Sequence, residues 1–183
     1  MLYHFSEEGS ISIFRPRSSK SYPHIKPAVW AIDEEHSLHY CFPRECPRVI
    51  YWKASWTTEE DETRLFGESK ADKIIVIENQ WLDKIRNTEL YKYSFHDETF
   101  ELFEEAKTAG YYISHHEVKP VKVERVDDLM GKLLAYNIEL RFTPNLYPIR
   151  NKVISSTVDF SIIRFRNANK DGVSEGKDGN NSA

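Results

Sequence analysis

The chain alternates short apolar runs with stretches rich in proline or acidic residues. Runs of β-branched and aromatic residues bounded by turn formers predict strands at residues 2–5, 11–14, 28–32, 49–52, 73–78 and 90–95. The clearest is Lys73-Ile-Ile-Val-Ile-Glu78. Further strands are expected at 111–114, 118–126, 138–142 and 160–165, the last projecting Arg164 and Arg166 on one side. Helical spacing appears at 34–41, which Asp33 caps and Pro43 ends, and at 80–87, where Trp81 and Ile85 share a face. It recurs at 97–107, with Phe100, Phe103 and Ala106 on one face and a stop at Gly110, within 126–136, and at 146–155. The acidic segment 56–72 suits a solvated helical insertion or a loop.

Residues 15–27 carry Pro16, Pro23 and Pro27 among several serines and form a loop long enough to bind or cover a ligand. Short strands and singly placed helices, without strict βαβ alternation, predict one α+β domain over residues 1–168, with mixed or antiparallel sheets and flanking helices. Residues 169–183 are almost wholly polar and are expected to be a disordered tail.

With 40% hydrophobic residues in 183, the chain can bury one substantial core. Its ten Phe, ten Tyr and four Trp serve sheets first, and flat ligand-stacking surfaces second. The net charge of −4 gives no footprint for long nucleic acid. Four arginines nevertheless flank prolines in one early region: Arg15, Arg17, Arg44 and Arg48. Guanidinium groups at stiff turns can hold one phosphate or pyrophosphate at short range whatever the overall charge, so the expected partner is a small anionic ligand.

The start of the chain has no basic region followed by an apolar stretch, and no run approaches the ~20 apolar residues of a membrane span. A cytoplasmic protein without membrane contact is the expectation, with Cys41 and Cys46 as thiols. His36, His39, Cys41 and Cys46 supply four metal-ligand types, but Cys41 turns away from the face His36 and His39 share, and the cysteines are separated through Pro43. Surface histidines and a half-buried thiol are therefore expected, and no metal. Ser114-His115-His116-Glu117 cannot form a triad alone, because neighbours on a strand face opposite ways.

The order of pieces resembles the ADP-ribosyltransferase superfamily. Leu2-Tyr3-His4 is similar to its first strand, Ile11 to Pro16 to the following turn, and Val29-Trp30-Ala31-Ile32-Asp33 with the residues to Tyr40 to its second strand and helix. Gly110 to Ser114 and Val118 to Val121 resemble its closing strands, and the whole chain resembles a bacterial domain-of-unknown-function family. The resemblance implies an ADP-ribosyltransferase-like fold with NAD as ligand, His4 on the ribose and Trp30 stacked on nicotinamide. The family's late glutamate has no counterpart, since Thr108-Ala109-Gly110 precede the strand. Without that glutamate turnover should be slow or absent; Glu117, past the strand, is the candidate catalytic carboxylate, and Glu104-Glu105, before the strand on a helix, would need an equally unusual geometry. Two functions follow: a cleft for NAD or another nucleotide using His4, Trp30 and the four arginines, or a non-catalytic protein-interaction domain whose aromatics and arginines form a contact surface.

Overall fold

In the computed structural model, which describes residues 1–170, ten strands form two sheets. The larger sheet contains β1 (Leu2–Ser6), β2 (Val29–Ile32), β5 (Leu90–Phe95), β6 (Glu101–Leu102), β7 (Tyr111–Ser114) and β8 (Lys122–Val126). Its order is β6-β7-β2-β1-β5-β8, antiparallel throughout. The smaller sheet contains β3 (Arg48–Trp52), β4 (Lys73–Glu78), β9 (Ile138–Thr143) and β10 (Asp159–Ile163) in the order β10-β3-β4-β9, with only β4 and β9 parallel. Helices α1 (Glu34–Ser37), α2 (Glu59–Phe66), α3 (Leu82–Asn87), α4 (Leu129–Leu134) and α5 (Tyr147–Ile154) flank them, so the fold is α+β with mixed sheets.

The apolar run of β4 is explained by burial on both faces. Ile75 and Ile77 meet Ile50, Leu90 and Val126 with Ile85, Leu129 and Leu133 in one core. Ile74 and Val76 face the other way onto Leu65, Phe66 and Val153. On the large sheet Leu2, Val29, Ala31, Tyr93 and Phe95 point away from the small sheet, under Phe14 and Val118.

Thr58 caps α2 by accepting from Asp61 N, and the acidic first turn suits the helix's positive end. Asp33 caps α1 by accepting from His36 N at 2.8 Å.

Three expectations are corrected. Residues 11–14 are not a strand; Phe14 alone makes a bridge, to Val118. The strand expected from 118 begins at Lys122, beyond Pro120, which has no N–H to donate to a ladder. The helix expected at 97–107 is instead β6 followed by 3-10 turns, broken at Ala106 (φ −139°, ψ 38°). Phe100 and Phe103, spaced for one helical face, are drawn into two separate apolar clusters, and their burial overrides the local preference. Beyond Lys170 the expected tail lies outside the described residues. No helix among the described residues is long and apolar enough to cross a membrane.

Candidate functional site

The large sheet is weakly joined at its centre. Strands β1 and β2 pair only at Tyr3–Ile32, whereas β1 pairs with β5 at five positions. Carried on, that register would set His4 opposite Ala31 and Phe5 opposite Trp30. Instead His4 Nδ1 donates to the Trp30 carbonyl at 3.0 Å and bridges the seam. That bond places the proton on Nδ1 and leaves Nε2 as an acceptor. Burial lowers the His4 pKa, outweighing the bond to Trp30, and Arg44 and Arg17 push it the same way, so the ring is neutral near pH 7.

Alternation along the strands puts the two rings on opposite faces. His4 packs edge-on against Phe14 (centroids 5.0 Å), beside Tyr93 directly across from it. Trp30 shares its face with Ile113 and Tyr111, its neighbours on β7. His4 therefore positions the backbone behind Trp30 and does not line the same wall.

On the Trp30 face aromatic groups converge. Tyr22 stacks on Trp30 (5.4 Å, 20°), while Phe103 and Tyr111 meet it edge-on at 5.0 and 6.0 Å. The Tyr111 hydroxyl is hydrogen-bonded to that of Tyr40. In such a pair one hydroxyl donates and the other keeps its proton for a further acceptor.

Next to Tyr40 lies Arg48, 2% exposed. Its Nε donates to His39 O at 2.8 Å and its Nη1 to Cys46 O at 2.7 Å, and the guanidinium lies over Phe42 and Tyr40 at 4.9 and 5.6 Å. Among the described residues no carboxylate lies within 4 Å of it. Buried cations are ordinarily paired, so this one is unusual. Burial lowers its pKa, with the nearby Cys46, Tyr40 and Tyr111 opposing and Arg164 adding to the shift. Arg164, held in a left-handed backbone (φ 54°), donates from Nε to Arg44 O at 3.1 Å. Arg164 also lies 3.8 Å from Glu45, which binds Arg166 at 2.9 Å.

Of the residues expected from sequence, Trp30 and Arg48 fall in this region, Arg44 meets it through the carbonyl that accepts from Arg164 while its backbone N–H donates to Glu7 at 2.9 Å, and His4 and Arg17 border it. Arg17 forms a backbone bridge with Ala28, next to β2. Arg15 and Glu117 lie apart, ion-paired with each other at 2.5 Å and more than half exposed. Each neutralises the other, on the side of the sheet where Phe14 bridges Val118. Tyr40, Tyr111 and Arg164 were not singled out as site residues from sequence. For Arg164 the signal was its side of the last strand; a lone Tyr at a helix end gives none.

The histidine and cysteine cluster is also corrected. His36 and His39 are buried, at 8% and 1% exposure, against Trp52. His36 Nδ1 donates to Asp33 at 2.8 Å, and Lys73 donates to His39 Nε2 at 3.4 Å. Cys41 and Cys46 are free thiols in the core between the sheets. Among the described residues no three His, Cys, Asp or Glu side chains are grouped to hold a metal ion.

Fold and site together define a two-sheet α+β domain with an aromatic wall beside a buried arginine that no carboxylate among the described residues pairs with. The chain belongs to the DUF6886 family, a family of unknown function, which it matches over residues 3–168. No curated protein and no solved structure matches it.

Proposed function

We propose that the Trp30 face of this domain binds a small nucleotide-like ligand, such as NAD or ADP-ribose, without turning it over. The planar ring is taken by Trp30, the anionic group by Arg48 with Arg164 and Arg44, and the Tyr40–Tyr111 pair lies between them. The observation that carries this reading is Arg48, a buried guanidinium with aromatic neighbours and no carboxylate partner among the described residues, since an anion would supply the missing counter-charge. His4 acts by holding the Trp30 carbonyl. Glycosidic cleavage would build positive charge that a carboxylate should stabilise; the candidate, Glu117, is committed to Arg15 away from Trp30, and Glu105, on the Trp30 side, is taken up by His24.

Calorimetric titration with ADP-ribose, NAD and pyrophosphate tests this reading. Binding should be saturable, weaken at least tenfold in Arg44→Ala combined with Arg164→Ala, and disappear for the ring-bearing ligands' extra affinity in Trp30→Leu. Wild-type protein should release no nicotinamide from NAD. No binding at millimolar ligand refutes the proposal.

A second reading is favoured by one observation. Leu134, exposed, lines an open groove of about 290 Å³ with Ser69, Lys70, Ala71, Asn137 and Glu139, and the exposed Tyr136 is next to Asn137 in the chain; an apolar side chain rimmed by polar groups is what a protein partner covers.

A further inference from the structure

Residues 18–27 leave and rejoin the domain at one point. Arg17 N donates to Ala28 O at 3.0 Å and Ala28 N to Arg17 O at 3.1 Å, so the ten-residue excursion has a closed neck. Within it Tyr22 N donates to Ser19 Oγ and Ile25 N to Tyr22 O, both at 3.2 Å, and Pro23 fixes one backbone angle.

Side chains hold the segment down. Tyr22 is stacked on Trp30 and edge-on to Phe103 at 4.8 Å. His24 Nε2 reaches both carboxylate oxygens of Glu105, at 2.9 and 3.0 Å. Ile25 packs on the cluster of Ala28, Phe103 and Ile113. An open groove of about 530 Å³ runs along this seam, lined by His24, Ile25 and Lys26 on one side and by Phe103, Glu105 and Ile113 on the other.

We propose that residues 18–27 are a hinged lid whose Tyr22 ring occupies a planar-ring subsite on Trp30. This deepens the nucleotide reading and rests on Trp30 taking the ligand's ring. Two rings with centroids 5.4 Å apart leave no space for a third, because one stacked pair itself takes roughly 4.5–7 Å. A ligand ring on this face of Trp30 must therefore displace Tyr22. The lid lifts about the Arg17–Ala28 neck, breaking the Tyr22 stack and the His24–Glu105 latch while the neck bonds persist. The site's ligand is thus a flat aromatic ring that competes with a phenol, and closure lowers apparent affinity by the fraction of molecules with the lid shut.

The test uses nicotinamide and adenosine as ring probes, with binding read by calorimetry and tryptophan fluorescence, on wild type, Tyr22→Ala, Tyr22→Phe, His24→Ala and Trp30→Leu. Tyr22→Ala should tighten ring binding by roughly two- to tenfold, the worth of one aromatic pair. Tyr22→Phe keeps the stack and should match wild type. His24→Ala releases the latch and one edge-on ring contact to Tyr22 at 6.3 Å while leaving the Tyr22–Trp30 stack in place; it should tighten binding by a smaller factor, and it serves if Tyr22→Ala does not fold. Trp30→Leu should abolish ring binding. In wild type, probe binding should speed amide exchange across 18–27 while Arg17 and Ala28 stay protected. Equal or weaker ring affinity in Tyr22→Ala, no ring binding in any variant, or unchanged exchange in the loop overturns the lid. Tighter ring binding in Tyr22→Ala without any affinity for NAD or ADP-ribose supports the lid and refutes the nucleotide reading.

Discussion

Replacing Arg48 by Met separates the work the guanidinium does inside the protein from what it offers a ligand. Methionine fills much of the same volume but removes both donors, leaving His39 O and Cys46 O without their bonds of 2.8 and 2.7 Å. Each orphaned buried carbonyl costs about 1–3 kcal/mol. Loss of the desolvated stacking on Phe42 and Tyr40 adds about 2 kcal/mol. Against this stands relief from burying an uncompensated charge, worth several kcal/mol. The balance is a destabilisation of about 3 kcal/mol, or roughly 6–12 °C in Tm for a chain of this length. Equilibrium urea unfolding reads it directly, with Arg48→Lys expected to fall between, because one ammonium cannot satisfy both carbonyls in fork geometry. Saturating ADP-ribose should raise the wild-type Tm and leave Arg48→Met unchanged. An Arg48→Met protein as stable as wild type would refute the reasoning, since the two carbonyl bonds would then be worth no more than the cost of desolvating the charge.

Three further outcomes follow from buried groups. Burial, with Lys73, His36 and Arg48 nearby, holds the His39 pKa well below its ordinary 6.5, so the unfolded chain binds the proton that the fold refuses. His39 thus contributes stability that is present above pH 6.5 and lost as pH falls below it, by up to about 1.4 kcal/mol per pH unit; urea midpoints from pH 7.5 to 5 should fall, and less steeply in His39→Gln. Burial pushes the Cys41 thiol up to about 11 and the Cys46 thiol to about 12, so a thiol-specific disulfide reagent at pH 8 should label neither rapidly until denaturant is added. Gly110 has φ +71°, and a methyl group there would collide with Asp33 Oδ2, 2.5 Å away, and with the His36 ring. Gly110→Ala should cost about 2–4 kcal/mol in a chemical denaturation experiment, combining left-handed strain with a broken Asp33–His36 contact.

Elements dominated by one periodic signal were legible in the sequence. β4 and β5 were expected at their observed bounds, and α5 and β10 to within two residues, because continuous or alternating apolar patterns set them. The 97–107 segment was misread because the same spacing that makes a helical face also serves two aromatic anchors destined for different clusters. For the site, the arginine-and-proline region between Arg17 and Arg48 was visible as chemistry, yet Arg15 belongs to a surface ion pair that only the fold reveals. His4 and Trp30 were expected to line one ligand site; a single side-chain-to-carbonyl bond links them, and strand alternation puts their rings on opposite faces. Tyr40 and Tyr111 lie 71 residues apart, so nothing local could announce their hydroxyl contact. The stacking of Tyr22 on Trp30 joins residues only eight apart, but the proline-bearing loop between them has no periodic signal to set its path; the sequence showed only that a loop long enough to cover a site precedes β2.

The most direct measurement follows the indole N–H resonances of the four tryptophans while ADP-ribose is added, with Trp30 assigned through Trp30→Phe. The Trp30 signal should move saturably, with Trp56 and Trp81 unchanged, and the half-saturation concentration should rise at least tenfold in the Arg44→Ala, Arg164→Ala double variant. A Trp30 resonance that stays fixed at millimolar ADP-ribose, or one that shifts without saturating along with every other indole, would contradict a nucleotide site on this face.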